Sequence, residues 1–377
     1  MTAIRAAVLR APGRPPAIEQ VELAAPRDGE IVVRIEAAGV CHSDYHYMTG
    51  DLTAPLPLVL GHEGAGIVEE LGPRASGRIR VGDRVALLWR PRCGVCEACV
   101  SGNPVLCELG KVQAATGGLP DGTSRLSLPV DSGGAADGTA LHHLMGVSCF
   151  AEKVVVNENA AVVVPDGVPP EVAAISACAV ITGVGAVLNV VEFAAGRPLL
   201  VIGAGGVGLS AVMGAALTGA HPVIVVDVDD RKLELARELG AAIAINGRET
   251  DATAAVLAAT GGRGVDWAIE AIGRPATLRQ ALDCTAAGGA VVAVGLGSAD
   301  TEFAVPLNQL VQRQKRVIGS LYGSSNPLID LPRIFQLYLA GRLPIDRLLG
   351  ERLPLDEVAA AYEHLVSGAV GRGILVP

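Results

Sequence analysis

Aromatic side chains are scarce in this chain, at 3% of 377 residues. That removes the stacking platforms on which single-stranded nucleic acids are held. Basic residues are outnumbered: 30 Lys and Arg against 39 Asp and Glu give a formal charge of −9. No basic cluster stands out to follow a phosphate backbone, so no nucleic-acid partner is expected. The N-terminus, MTAIRAAVLRAPGRPP, has no long apolar run and no small-residue cleavage site, and no signal peptide is read there. The expected setting is a reducing cytoplasm, where cysteines serve metals or catalysis more often than disulfides. With only 8 Cys and 7 His in the whole chain, the places where they gather carry information.

Charge is absent over two long stretches, 172–191 and 198–226. The first approaches the span of a bilayer helix. It is interrupted by Ser176, Cys178, Thr182, Gly183 and Gly185, and the second by Gly203, Gly205, Gly206, Gly208 and Pro222. Both read as buried segments of a globular protein, and no membrane partner is expected.

Hydrophobic residues make up 50% of the chain, enough for large cores, and the length favours two domains. The first third reads as short β segments, IRAAVLR, EIVVRIEAAG, GIVEELG and DRVALLW, punctuated by Gly, Pro and Asp. Residues 112–140, rich in small and polar types, read as a long surface loop before CFAEKVVVN resumes β character. From about residue 181 strands and helices alternate: RPLLVIGAGG, GLSAVMGAALTGA, HPVIVVDVDD, RKLELARELGA, VDWAIEAIG, TLRQALDCTAAGG, AVVAVGLG. That alternation is the mark of a doubly wound parallel sheet. The expected fold class is α/β: a mostly β domain over 1–180, a dinucleotide-binding domain over 181–318, and a segment 319–377 that returns to the first.

VIGAGGVG (201–208) supplies Gly203, Gly205 and Gly208 in a G-x-G-x-x-G pattern, with Gly206 and Val207 between them. It follows a run of apolar β formers and opens a small-residue helix, the context a pyrophosphate needs at a helix N-terminus. Asp227 ends the next strand and can accept hydrogen bonds from the adenosine ribose hydroxyls, which favours NAD over NADP. Lys232 stands close enough in sequence to soften that preference. CGVCEACVSGNPVLC places Cys93, Cys96, Cys99 and Cys107 in a C-x2-C-x2-C-x7-C run, within a lobe spanning about 92–108. Four thiolates and no open position point to structural zinc. An iron–sulfur cluster also uses such runs, but the long last gap and the lack of a following C-P favour zinc. A catalytic zinc wants about three protein ligands and an open position. Cys41 in GVCHSDYH, His62 in GHEGAG and Cys178 are candidates that spacing alone leaves open. Cys149 and Cys284 read as buried structural thiols.

Over nearly its whole length the chain resembles the zinc-dependent medium-chain alcohol dehydrogenases. The matching segments are GVCHSDYH, GHEGAG, the four-cysteine lobe, ISACAVITGVGA, VIGAGGVGLS and VIVVDVDDRKLELARELGA. The resemblance implies a GroES-like catalytic domain beside a Rossmann domain, and two zinc ions per subunit. Cys41, His62 and Cys178 would bind the catalytic ion. Ser43 would hydrogen-bond the alcohol, His46 would pass its proton on, Asp44 would orient His62, and Glu63 would assist ligand exchange. His42, where many relatives carry an arginine, and Arg372 would contact the cofactor pyrophosphate. Thr182 and Val207 would press the nicotinamide toward the substrate, and Trp89, Phe150, Leu296 and Tyr322 would line the substrate channel. The implied chemistry is reversible hydride transfer between an alcohol and NAD+.

GLPDGTSRLS and HHLMGVSCF resemble the glutathione-dependent formaldehyde dehydrogenase branch, as does the long form of the chain, which implies a homodimer. The paired acidic pattern of that branch is missing near Asp51, although Lys111 offers a cation. A hydrophobic or aromatic primary alcohol is therefore the expected substrate, with S-(hydroxymethyl)glutathione as the alternative. An idle NAD-binding scaffold and a zinc-free quinone reductase on the same fold both sit badly with an intact ligand trio.

Overall fold

A computed structural model describes residues 1–129 and 139–377. The chain divides into two compact units, Met1–Cys178 with Asn326–Leu339 and Leu349–Pro377, and Ala179–Ser325 with Ala340–Leu348. The division differs from the boundary read from sequence at 319. Residues 319–325 and 340–348 group with the second unit, and only 326–339 and 349–377 return to the first.

The first unit holds a closed five-stranded barrel and a seven-stranded sheet. The barrel runs Thr2–Leu9, Ala17–Leu23, Leu126–Ser127, Ala140–His143 and Leu58–Val59. In the sheet, the long strand Glu30–Gly39 pairs with three neighbours: Glu63–Leu71, Lys153–Asn157 and Arg372–Val376. Its Ile31, Val33 and Ile35 are almost wholly buried, the period-two pattern of a core-facing strand. Register does the positioning. Gly39 lies opposite both Glu63 and Ile374 in antiparallel pairs. The chain just beyond Gly39 is therefore brought beside His62 and beside Arg372 at one end of the sheet.

The second unit is a six-stranded parallel sheet in the order Ile243–Asn246, Val223–Asp227, Leu199–Ile202, Val265–Glu270, Thr285–Ala293, Arg316–Gly319. Helices connect the strands, as the alternating sequence implied. Asp229 caps the helix Asp230–Glu238 by accepting from the Arg231 N–H, and Asp251 caps Ala252–Ala259 in the same way.

Two segments differ from their sequence reading. TLRQALDCTAAGG is not one helix: the helix Pro275–Cys284 stops and Thr285 begins the next strand. Residues 112–140 are not one loop. They include the end of the helix Glu108–Thr116 and the barrel strand Leu126–Ser127, and 130–138 lie outside the described residues. The apolar helical run Pro170–Leu188 is long enough to cross a membrane but is 94% buried within the protein, as the core of a globular chain is.

Candidate functional site

In the lobe, the four sulfur atoms of Cys93, Cys96, Cys99 and Cys107 lie within 4.8 Å of one another. Cys93 Sγ is 3.9 Å from Cys99 Sγ, and Cys96 Sγ is 3.8 Å from Cys107 Sγ. A disulfide would bring two sulfurs to about 2 Å. A tetrahedron with metal–sulfur bonds of about 2.3 Å has an edge of about 3.8 Å, and these sulfurs match it. The fold supplies the donors through turns. Cys96 caps the short helix Glu97–Val100, and Cys107 caps Glu108–Thr116. The Cys96 and Val95 N–H groups point at Cys93 Sγ (3.2 and 3.4 Å), and the Cys93 N–H points at Cys107 Sγ (3.2 Å). Backbone N–H groups of Glu108 and Cys99 bring the Cys96 thiol down to about 6, while burial pushes Cys107 up to about 12. Val95 and Val100 are largely exposed, so the lobe has little apolar core of its own.

At the sheet end, Cys41, His62, Glu63 and Cys178 form a second buried group with donor atoms within 4.8 Å of one another. Cys41 caps the helix His42–Thr49, its sulfur accepting from the Ser43 N–H at 3.5 Å. Cys178 sits on a single π-helical turn, Ser176–Val180, between Pro170–Ile175 and Ile181–Leu188. Such turns recur at functional positions. Its sulfur is 3.4 Å from His62 Nε2. A tetrahedral centre with metal–nitrogen and metal–sulfur bonds of about 2.0 and 2.3 Å would separate them by about 3.5 Å.

The other face of His62 is held by Asp44. Asp44 Oδ1 accepts from His62 Nδ1 at 3.0 Å and from the Gly61 N–H at 3.1 Å. Asp44 and His62 are almost wholly buried, and Asp44 Oδ2 has no hydrogen-bond partner among the described residues. A buried carboxylate so placed calls for positive charge close by. Burial opposes charge on His62, but the Asp44 carboxylate and Cys41 outweigh it and raise the imidazole well above its usual range. A bond to Cys178 pulls the Cys41 thiol well below its usual range, despite burial, and Arg372 and His62 add to the effect. The same bond, with burial, holds Cys178 well above its own. The two thiols thus share one negative charge. A bound dication would take both to thiolate and cancel their charge, so the donor set fits zinc.

Arg372, expected at the cofactor pyrophosphate, finds its hydrogen-bond partners within its own unit. It is buried, its Nε and Nη2 bonded to Glu63 Oε2 and Oε1 at 3.1 and 2.5 Å, with Nη2 also 3.3 Å from Cys41 Sγ. The strand register that sets Ile374 against Gly39 sets Arg372 against Cys41. Burial pushes the Glu63 carboxyl up, to about 7, against the pull of Arg372.

Ser43 Oγ lies 3.6 Å from Cys41 Sγ, and His46 Nδ1 lies 3.0 Å from Asp51 Oδ2. His42 is exposed at the start of its helix. The Trp89 ring stands edge-on to His62, centroids 6.3 Å apart at 85°. Phe150, expected in the substrate channel, is instead fully buried in the barrel core against Tyr362, with centroids 6.4 Å apart.

In the second unit, Gly203 has φ +98°, a conformation side chains rarely adopt. A Cβ on Gly208 would strike the Gly203 carbonyl, whereas a Cβ on Gly205 would meet nothing within 4 Å. Gly205 caps the helix Gly206–Leu217, so an open, positively polarised helix end faces the space a pyrophosphate needs. Asp227 Oδ2 accepts from the Ala204 N–H at 2.6 Å, and Oδ1 from the Val228 and Asp229 N–H groups at 2.7 and 3.0 Å. The acid therefore lies against the glycine loop. Thr182 and Val207 ride on helices in close contact, since a Cβ on Gly183 would strike the Val207 carbonyl. Leu296 is half exposed, but Tyr322 is buried within this unit and offers no free surface.

Glu270 was not singled out from sequence. It ends the strand Val265–Glu270, is fully buried, and accepts from Ile272 N–H, Gly273 N–H and Thr277 Oγ1 at 3.0, 2.9 and 2.7 Å. It ties down the loop whose Ile272 side chain packs beside Gly203. An acid closing an apolar strand was the available signal.

Residues 27–166 match the alcohol dehydrogenase GroES-like domain, and residues 206–337 match the zinc-binding dehydrogenase family. An NDMA-dependent alcohol dehydrogenase of Amycolatopsis methanolica is 36% identical over 376 residues, covering 99% of this chain and 98% of that protein. The crystal structure of an alcohol dehydrogenase zinc-binding domain protein from Burkholderia ambifaria aligns over 100% of this chain and 99% of its own, at 37% identity and a TM-score of 0.91. Benzyl alcohol dehydrogenase from Acinetobacter calcoaceticus aligns over the same shares at 31% identity and a TM-score of 0.91. A GroES-like unit with a Rossmann unit, carrying cysteine and histidine metal sites, defines a zinc-binding dehydrogenase. The chain belongs to the zinc-dependent medium-chain alcohol dehydrogenases, enzymes acting on small-molecule substrates.

Proposed function

We propose that this enzyme is an NAD-dependent alcohol dehydrogenase that reversibly oxidises a hydrophobic or aromatic primary alcohol to its aldehyde. The observation that carries the reading is the buried Cys41, His62 and Cys178 donor set with Ser43 beside it. Those three residues hold the catalytic zinc, and Cys93, Cys96, Cys99 and Cys107 hold a structural one. When bound, zinc supplies Lewis acidity that makes an alcohol hydroxyl acidic near neutral pH, and NAD+ supplies the hydride acceptor. Ser43 orients the hydroxyl and accepts its proton while releasing its own toward the partly exposed His46, which passes a proton outward. Asp44 fixes the His62 tautomer. The Glu63–Arg372 pair keeps a neutral but polarisable group beside the ligands. The open helix end at Gly205 receives the pyrophosphate, and Asp227 accepts from the adenosine ribose, with Lys232 near it. Thr182 and Val207 support the nicotinamide. Trp89, edge-on to His62, gives the metal site an apolar wall, and the name of the Acinetobacter neighbour agrees with an aromatic substrate. A cytoplasmic homodimer completes the proposal.

The test is kcat/KM for benzyl alcohol against S-(hydroxymethyl)glutathione, followed by NADH absorbance with NAD+. Because the Amycolatopsis relative is named for dependence on NDMA, the assay is run with and without NDMA. A clear preference for benzyl alcohol supports the apolar channel. A clear preference for the glutathione adduct overturns it and makes Lys111 the first residue to mutate.

A further inference from the structure

We infer that Asp51 is a positioning residue for proton removal: it holds His46 as the Nδ1–H tautomer and so leaves Nε2 as the atom that accepts the outgoing proton. The inference rests on the relay role of His46 proposed above.

The chain builds this pair at a helix end. The helix His42–Thr49 stops at Gly50, whose φ of +89° turns the backbone back on itself. The Gly50 and Leu52 N–H groups both donate to the His46 carbonyl at 3.1 Å. Asp51, between them, is thereby folded against the last helical turn. Its Oδ2 lies 3.0 Å from His46 Nδ1 and 2.8 Å from Thr49 Oγ1. Those two hydrogen bonds also hold the Asp51 carboxyl below its usual range. An ionised carboxylate only accepts hydrogen bonds, so the proton of the pair belongs on Nδ1. Free imidazole prefers the opposite arrangement, with the proton on Nε2, which could not take up another. The side chain of His46 is 25% exposed and that of Asp51 47%, so the pair lies where a proton can leave for water. Among the described residues, Asp51 is the charged side chain bonded to this imidazole.

The test compares Asp51→Ala, Asp51→Glu, His46→Gln and the double variant Asp51→Ala/His46→Gln in the zinc-loaded full chain. Asp51→Ala is expected to lower kcat about tenfold, the scale on which a group orienting a functional histidine acts, with KM and zinc content unchanged. Asp51→Glu should recover most of the loss. In the His46→Gln background, removing Asp51 should change kcat less than twofold. Independently of turnover, 15N spectra of histidine-labelled protein should show His46 protonated at Nδ1 in the wild type and shifted toward Nε2–H in Asp51→Ala. If His46→Gln is impaired and Asp51→Ala is not, the inference falls and the relay stands. An equal loss in both backgrounds, or an unchanged tautomer, also overturns it, leaving Asp51 a structural role. If His46→Gln turns over like the wild type, the relay reading itself fails.

Discussion

The proposed part of Asp227 in choosing the dinucleotide is tested by replacing it with Asn, which isolates its charge. The carboxylate already accepts three backbone N–H bonds, from Ala204, Val228 and Asp229. Oδ1 is filled by its two N–H bonds, so Oδ2 keeps the one lone pair left for a ribose hydroxyl, and an Asn oxygen in the same place keeps part of the loop contact. Hydrogen bonds to a charged acceptor contribute about 1.5–3 kcal/mol and neutral ones about 0.5–1.5, so each ribose bond loses about 1–1.5 kcal/mol. With one such bond the loss is about 1–1.5 kcal/mol, a rise of about 5- to 12-fold in the Kd for NAD+. NADP+ should move the other way, because the negative field that repels its 2′-phosphate is gone. Calorimetric titration of both dinucleotides into wild type and Asp227→Asn measures the two shifts. A change below threefold for NAD+, in a variant that keeps its melting temperature, would refute the reasoning. Asp227 would then serve only to tie Ala204 and the Val228–Asp229 turn.

In the lobe, Cys107→Ser should lower the zinc content by one ion per subunit, read by elemental analysis, and open the region to limited proteolysis, because metal binding there stands in for a core. Arg125 makes a second kind of test. It is almost fully buried, bonded to Glu30 at 2.8 and 2.5 Å and to Asp121 at 2.6 Å. Arg125→Met leaves the buried Glu30 carboxylate without its cation and should cost about 3–5 kcal/mol in urea unfolding. Adding Glu30→Gln should recover part of that loss, and failure to do so would exclude an unpaired buried charge as the cause. Partial burial would raise the Asp121 carboxyl, but bonds to Arg125 and Thr123 bring it down to about 2 from an ordinary 3.8. A depressed carboxyl contributes stability that is complete above its unfolded value and lost as pH falls from about 4 toward 2. That acid-side loss, seen in wild type, should shrink in Arg125→Met.

What could be read from sequence follows from how local each signal is. The lobe was legible because its four ligands fall within fifteen consecutive positions, and the glycine loop because strand, turn and helix are contiguous. The second metal site was not legible by spacing. Cys41, His62 and Cys178 are separated by long intervals, and a strand register, Gly39 against Glu63, together with one π-helical turn, brings them together. Only resemblance joined them. The helix Ala252–Ala259 escaped notice because ATAAVLAA is apolar on every side, so it has no period to detect. The strand Thr285–Ala293 was read only from Ala290 onward, because its Gly288–Gly289 pair reads as a turn. Arg125 in GTSR looked like a solvated loop residue, since nothing local announces its bond to Glu30, which starts a strand of the seven-stranded sheet.

Arg372 shows how a likeness can be correct about the family and still leave a side chain's partners open. The resemblance placed it on the cofactor pyrophosphate. The fold gives it nearer anions first: the Glu63 carboxylate and the Cys41 sulfur, reached because Ile374 pairs with Gly39. In a site from which water is excluded, charge must cancel over a few ångströms. Two thiolates offset a dication, and Arg372 offsets Glu63. Moving the guanidinium out to a phosphate would leave Glu63 uncompensated beside two thiolates. The charge balance of the metal centre therefore holds Arg372 where it is.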